Sequence, residues 1–225
     1  MSGRLYIVGL GPGDTRWLTP EAQEALSLAQ DIIGYTPYVE RVPKRLGQNR
    51  LASDNRVEID RAREALFNIL AHGRFAADHR SLLPGARVLD AFCGTGALTF
   101  EALSRGAEKA ILLDNDPDAI KLARTNAALL GVNAQVDIRR ADARHPGPAP
   151  WAATLAFLDP PYGSGFATEA LAALAAQEWL APGAVAVVEM AADETWLPPP
   201  GFTPLDERRY GKAKLTFLQL VLGLA

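Results

Sequence analysis

A length of 225 residues allows one or two domains with a buried core, and 48% apolar with 22% charged residues is the balance of a globular protein. The net charge of -3 excludes a global basic field, so any grip on nucleic acid has to be a local patch. A single cysteine, Cys93, excludes an internal disulfide framework, and no stretch reaches the ~20 apolar residues of a membrane-spanning helix.

The first apolar run, residues 5–10, is short and is broken at once by Gly-Pro-Gly. That is the pattern of a strand and turn and not of a signal peptide, so a cytoplasmic location is expected. Thr19-Pro20-Glu21 carries the marks of a helix start: a capping hydroxyl, a proline at the first helical position and an acid in the first turn. The helix continues through Ala22, Ala25, Leu26 and Ala29, and residues 31–35 form a second candidate strand. Residues 36–56 hold Pro37, Pro43 and Gly47 among the basic Arg41, Lys44, Arg45, Arg50 and Arg56. This predicts a β-α-β start followed by an irregular basic tail. His72, His79 and His145 lack a metal-ligand spacing, so no metal is expected.

Residues 5–14, 18–21, 33–41 and 52–62 closely resemble the N-terminus of tetrapyrrole methylases of the precorrin-3B C17-methyltransferase type. The likeness stops there, and the Gly-Gly-Asp-Pro-type loop expected later in that family is missing from this chain. The resemblance implies an N-terminal fragment, residues 1–59, that cannot complete a tetrapyrrole site.

The pattern changes at Asp60. Ala62, Leu66, Ile69 and Leu70 recur near the helical period, Asp60 can cap the start of that helix, and Gly73 can end it. Candidate strands then cover residues 87–90, 109–114, 135–138, 154–158, 184–190, 206–210 and 215–220. Candidate helices cover residues 97–104, 117–130 and 167–177. Strands separated by helices imply a parallel sheet covered on both faces. The last two strands, joined by Gly211-Lys212, read as a hairpin that adds an antiparallel edge. The expected fold class is α/β: a Rossmann-like, mostly parallel seven-stranded sheet over residues 60–225, preceded by the N-terminal β-α-β fragment.

In such a sheet, ligands bind outside the carboxyl ends of the strands. Asp90 stands at one such end, ahead of a glycine turn with Gly94 and Gly96, and Asp114 ends the next strand 20 residues after Gly94. A carboxylate at that second position can accept from both hydroxyls of a ribose, and Asp142, after the third strand, can read an adenine amine. A glycine turn with a downstream acid is also the dinucleotide signature. Asp90 separates the two readings: a pyrophosphate at the helix start would be repelled by it, whereas the ammonium of S-adenosylmethionine is attracted. The alternative for Asp90 is a cap on the following helix. Asp116, Asp118 and Asn126 read as helix-start and solvated helix-face residues.

Asp159-Pro160-Pro161-Tyr162 follows the apolar strand at 154–158. The exocyclic amine of a base is a poor nucleophile because its lone pair is delocalised into the ring. The Asp159 carboxylate and the Pro160 carbonyl can each accept one N–H, which localises the lone pair toward a methyl sulfonium. Pro161 stiffens the turn, and Tyr162 can stack on an extruded base. The alternative is a plain Pro-Pro turn with Tyr162 in the core. Gly163-Ser-Gly-Phe166 supplies either a hinge with an aromatic that closes over substrate or an ordinary loop.

Residues 60–221 also resemble the small-subunit ribosomal RNA guanine-N2 methyltransferases. The likeness is carried by residues 60–70, 88–97, 101–106, 159–162 and 210–215. It implies a class I S-adenosylmethionine-dependent methyltransferase fold, with Asp90, Phe92, Gly94, Gly96, Asp114 and Asp142 at the cofactor and Asp159, Pro160, Pro161 and Tyr162 at the target guanine. Lys212 and Lys214 are phosphate contacts or simply hairpin charges. The family's basic N-terminal hairpin is replaced here by residues 55–59 and the fragment before them. The leading expectation is a monomeric cytoplasmic enzyme acting on small-subunit ribosomal RNA, free or assembled. A precorrin-type tetrapyrrole methylase, or a fusion that binds cofactor but is catalytically impaired, are the alternatives.

Overall fold

The computed structural model describes residues 19–35, 39, 42–53, 56–72, 75 and 80–221. The strand and turn expected at 5–14, and Gly73 as a helix end, lie outside those residues. Internal contacts divide the chain into two units, Met1–Asp60 and Arg61–Ala225.

In the first unit, α1 (Pro20–Leu28) starts as expected: Ala22 N–H donates to the Thr19 hydroxyl at 3.2 Å, with proline at the first position. Strand β1 (Asp31–Tyr35) pairs in parallel with β2 (Asn49–Ser53). The second strand corrects the expectation of an irregular basic tail. Arg50, read as part of that tail, donates from its guanidinium to the carbonyls of Val39, Val42 and Pro43 at 2.6–3.0 Å and to Gln48 Oε1 at 2.9 Å. The planar guanidinium ties the carbonyls of this turn together, so this cation is spent on local structure. Ile32, Val39 and Val42 form the small core beneath it.

Helix α2 (Arg56–Ala71) starts one turn earlier than expected, so Asp60 is an interior helix residue and not its cap. Nothing in residues 56–59 breaks a helix, and extension adds a hydrogen bond per residue once a turn exists. In the second unit, β3 (Arg87–Ala91), β4 (Lys109–Asp114), β5 (Val136–Arg140), β6 (Ala153–Leu158) and β7 (Leu180–Ala191) run parallel. Strand β9 (Ala213–Leu220) is antiparallel to both β7 and β8 (Phe202–Tyr210). The order is β5-β4-β3-β6-β7-β9-β8, the expected seven strands with a terminal hairpin. Strand β7 begins four residues before the expected start at 184, because Pro182 and Gly183 sit where its register shifts against β6. A bulge is where a strand admits a residue without an N–H.

Side chains alternate across this sheet. Val88, Leu112, Leu155 and Phe157 face one core, filled by Leu66, Phe67 and Leu70 of α2, Leu103 of α3 (Ala97–Ser104) and Ile120 of α4 (Pro117–Leu129). Leu89, Ile111, Leu113, Ala156 and Leu158 face the other, covered by Ala170, Leu171 and Leu174 of α5 (Phe166–Ala176). Phe67 is fully buried and meets Phe157 edge-on at 5.9 Å, which ties α2 to the central strands. Phe67→Ala is expected to lower stability by about 3–5 kcal/mol, the usual loss for a buried aromatic. Urea denaturation of the variant and the parent checks it.

Candidate active site

From β3 the chain steps to β4 and β5 on one side, then returns past β3 to lay down β6 and β7 on the other. The connections diverge at the carboxyl ends of β3 and β6, and they leave a crevice there. Asp90 pairs across with Phe157, and Asp159 follows directly on Leu158. The fold therefore brings Asp90, Asp114 and Asp159, which are far apart in sequence, to one edge of the sheet.

Asp90 is 2% exposed, and its Oδ2 accepts from Thr99 N–H at 3.2 Å and from the Thr99 hydroxyl at 2.7 Å. The cap alternative is thus realised: Thr99 lies in the first turn of α3, whose N-cap residue Gly96 offers no side chain. Burial pushes the Asp90 carboxyl up to about 7 against the pull of the Thr99 hydrogen bonds, with Asp159 and Asp114 adding repulsion. Burial also raises the neighbouring Cys93 thiol, with Asp90 and Asp114 assisting, so that sulfur is a packed side chain and not a nucleophile.

The turn from β3 into α3 is held from both sides. Gly94 N–H donates to Asp114 Oδ2 at 2.8 Å, and Asp116 N–H donates to Asp114 Oδ1 at 2.9 Å. Asn126, read from sequence as a solvated helix-face residue, donates its amide to Thr95 O at 3.0 Å and braces the turn from α4. Asp116 caps α4 through Asp118 N–H at 2.9 Å, as its position suggested. Gly96 has φ 80°, and a Cβ there would stand 2.6 Å from Phe100 Cε2 and 2.9 Å from Leu112 Cδ2. Gly94, with φ 52°, has open space where its Cβ would be, so its backbone can be approached closely. Phe92 holds φ 65°, a left-handed conformation that costs a bulky side chain of order 1–3 kcal/mol.

Asp142 is fixed within its own loop. Its carboxylate takes the Arg144 guanidinium at 2.7–3.2 Å and Arg144 N–H at 2.9 Å, and these bonds hold it below the usual carboxylate range. Arg144 in turn lies 3.9 Å over the Phe166 ring. Phe166 begins α5 and is stacked there, so the ordinary-loop reading of residues 163–166 fits better than an aromatic closing over substrate.

Across the crevice, Pro160, Pro161, Tyr162, Glu189 and Trp196 line a shallow, open cleft. Tyr162 is 53% exposed, which excludes the core alternative for it. Its hydroxyl donates to Glu189 Oε1 at 3.1 Å. Asp159 keeps a solvent-exposed edge, yet the crowding protein and then the Glu189 charge push its carboxyl up to about 7. Glu189 is raised as well, chiefly by burial, while the Tyr162 hydrogen bond and the Arg63 charge oppose the shift. Sequence reasoning passed over Glu189. A lone carboxylate inside the apolar run of residues 184–190 was the available signal, because a charge is kept in a buried strand only where something pairs with it. Glu194 accepts from Gly163 N–H at 3.2 Å and steadies the loop after Tyr162. Lys214 is a correction to the phosphate-contact option: it is 5% exposed, and its ammonium donates to Glu194 O at 2.6 Å and faces Glu207 at 3.4 Å. Lys212 is exposed.

The family described as conserved hypothetical protein 95 matches residues 48–219, and the tetrapyrrole (corrin/porphyrin) methylases match residues 4–78. A precorrin-3B C(17)-methyltransferase from Sinorhizobium sp is 53% identical over 71 residues, which is 32% of this chain but only 28% of that protein. The chain therefore spans under a third of that relative. Ribosomal RNA small subunit methyltransferase D of Haemophilus influenzae is 32% identical over 157 residues, covering 68% of this chain and 76% of that protein. A solved Escherichia coli methyltransferase superposes with a TM-score of 0.64 at 28% identity, covering 72% of this chain and 88% of that one.

A buried acid raised to about 7 carries a linkage consequence. Its folded pKa exceeds the unfolded value of ~3.9, so its contribution to stability is complete below pH ~4 and is lost as pH rises through about 7. The free protein is expected to lose up to about 4 kcal/mol from this group across that window. Asp90→Asn keeps an acceptor for Thr99 and should flatten the slope. Urea unfolding at a series of pH values measures both.

Proposed function

We propose, for a chain that belongs to the conserved hypothetical protein 95 family and is a methyltransferase of the class I S-adenosylmethionine-dependent fold, that it methylates the N2 amine of a guanine in small-subunit ribosomal RNA. The observation that carries the reading is the pairing of Asp159-Pro-Pro-Tyr162 with the Asp90 crevice across the β3/β6 switch. The donor set fits a cationic cofactor. Asp90, Asp114 and Asp159 place carboxyl groups at the strand ends, burial raises Asp90 and Asp159 so that a positive partner would favour their ionised forms, and open space lies over Gly94. A pyrophosphate fits poorly, since Asp90 already takes the Thr99 N–H that would receive it and would repel it. In this reading Asp90 holds the amino-acid ammonium, Gly94, Gly96 and Phe92 shape the contact surface, and Asp114 accepts from the ribose. Asp142 supports the adenine side through the loop it fixes with Arg144.

When bound, S-adenosylmethionine supplies an electrophilic methyl group on a sulfonium. The residues of this chain prepare the acceptor. Tyr162, exposed and anchored through its hydroxyl, offers a ring on which a base stacks. Asp159 and the Pro160 carbonyl accept the two amine hydrogens, which turns the nitrogen lone pair toward the methyl carbon. On accepting that methyl group the amine would have a proton to shed. Asp159, held near pKa 7, is matched to receive it. Pro161 keeps the turn rigid.

A second reading, tetrapyrrole methylation, draws on the precorrin-type match at the N-terminus. We assign residues 1–59 as a fragment of such an enzyme and residues 60–225 as the catalytic domain, acting as a cytoplasmic monomer on ribosomal RNA or the assembled small subunit. Labelled S-adenosylmethionine incubated with unmodified small subunits separates the readings. Label in guanine N2 is expected. Label absent from RNA, with a spectral shift on titrating a precorrin, would favour the tetrapyrrole reading, and cofactor binding without either would mark an impaired fusion. Asp159→Ala is expected to lower turnover by at least roughly a hundredfold, the scale for losing a positioned acid-base group, with cofactor affinity retained.

A further inference from the structure

Glu189 lies on β7 one residue beyond the Leu158–Val188 pair, which places it beside Asp159 in the parallel register. Adjacent strands stand about 4.8 Å apart, so the two residues are neighbours, with Glu189 lining the cleft and Asp159 directly ahead of its Pro160. The Glu189 charge, after burial, helps to raise the Asp159 carboxyl. Tyr162 fixes Glu189 through one hydrogen bond to Oε1. A carboxylate has about four acceptor sites, so the group retains capacity after that bond. Arg63 of α2 favours its ionised form. Two neighbouring acceptors are complementary to two neighbouring donors on one rigid edge.

We propose that Glu189 is a specificity-determining residue that accepts the N1–H of the target guanine while Asp159 accepts from the 2-amino group; the inference rests on the guanine reading given above. Guanine carries N1–H beside its 2-amino group, which makes an adjacent pair of donors. Adenine places a lone pair at N1 beside its 6-amino group, and that lone pair would face the Glu189 carboxylate. Discrimination thus comes from a repelled acceptor as well as from a missing hydrogen bond. Tyr162 serves it twice, as the stacking ring and as the anchor that holds the Glu189 carboxylate at the cleft.

The test compares small subunits reassembled on transcripts with guanine or 2-aminopurine at the methylated position. 2-Aminopurine keeps the 2-amino group but has a lone pair at N1. The parent enzyme is expected to prefer guanine by roughly a hundredfold or more in kcat/KM. Glu189→Gln can offer an N–H to that lone pair, so its preference should shrink at least tenfold, by losing rate on guanine and keeping or gaining it on 2-aminopurine. Tyr162→Phe retains the ring but frees Glu189, and should narrow the preference by a smaller factor. Equal losses on both bases in Glu189→Gln, with the ratio unchanged, would overturn the role and leave Glu189 a structural residue. If Glu189→Gln fails to fold, an unchanged ratio in Tyr162→Phe overturns it instead. No methylation of guanine by the parent enzyme would sink the guanine reading itself, and this inference with it.

Discussion

The hydrogen bonds from Thr99 to the buried Asp90 carboxylate fix the start of α3 against the end of β3. A helix N-terminus has unsatisfied N–H groups, and Gly96 has no side chain to offer them. Asp90 supplies the acceptor from nine residues upstream, at the cost of burying an acid. That cost appears as a carboxyl raised to about 7. A cationic ligand relieves it, because charge compensation restores the ionised form. The group that organises the turn is thereby also the group most in need of a positive partner.

The remaining acids extend the same logic. Asp114 closes the turn from β4 through Gly94 N–H, Asp159 stands at the end of β6, and Glu189 lies beside it on β7. Each comes from the carboxyl end of a parallel strand, where the backbone connections diverge and a crevice is unavoidable. The repulsion of Asp90 by Asp114 and Asp159, and of Asp159 by Glu189, favours a partner with positive charge and donor hydrogens. A sulfonium cofactor supplies the first and, in the function proposed above, a guanine edge the second.

The cations tell a complementary story. Arg50 is consumed by carbonyls within the N-terminal unit, Arg144 by Asp142, and Lys214 by Glu194 and Glu207. Of these, Lys214 was a phosphate-contact option in the sequence, and it too is committed to local geometry. An RNA grip on this chain would therefore have to be built from other exposed cations, such as Lys212, and from stacking on Tyr162.

The sequence by itself determined the seven-strand alternation, the glycine turn and the Asp-Pro-Pro-Tyr corner. These are local properties: a two-residue or 3.6-residue apolar period, a positive φ that only glycine adopts freely, and a proline without an N–H. It also carried the Thr19 and Asp116 caps, which are set by neighbours within three residues. The early start of α2 was missed because no residue there opposes a helix, so its boundary was left to propagation. Strand β2 was missed because five residues with a basic side chain among them read as a loop until β1 lay alongside. Only the tertiary structure brought Glu189 to Asp159, turned Asn126 into a brace for the turn, and bound Asp142 to Arg144. Those relations depend on strand order and register, and through-space pairing leaves no periodic trace in the chain.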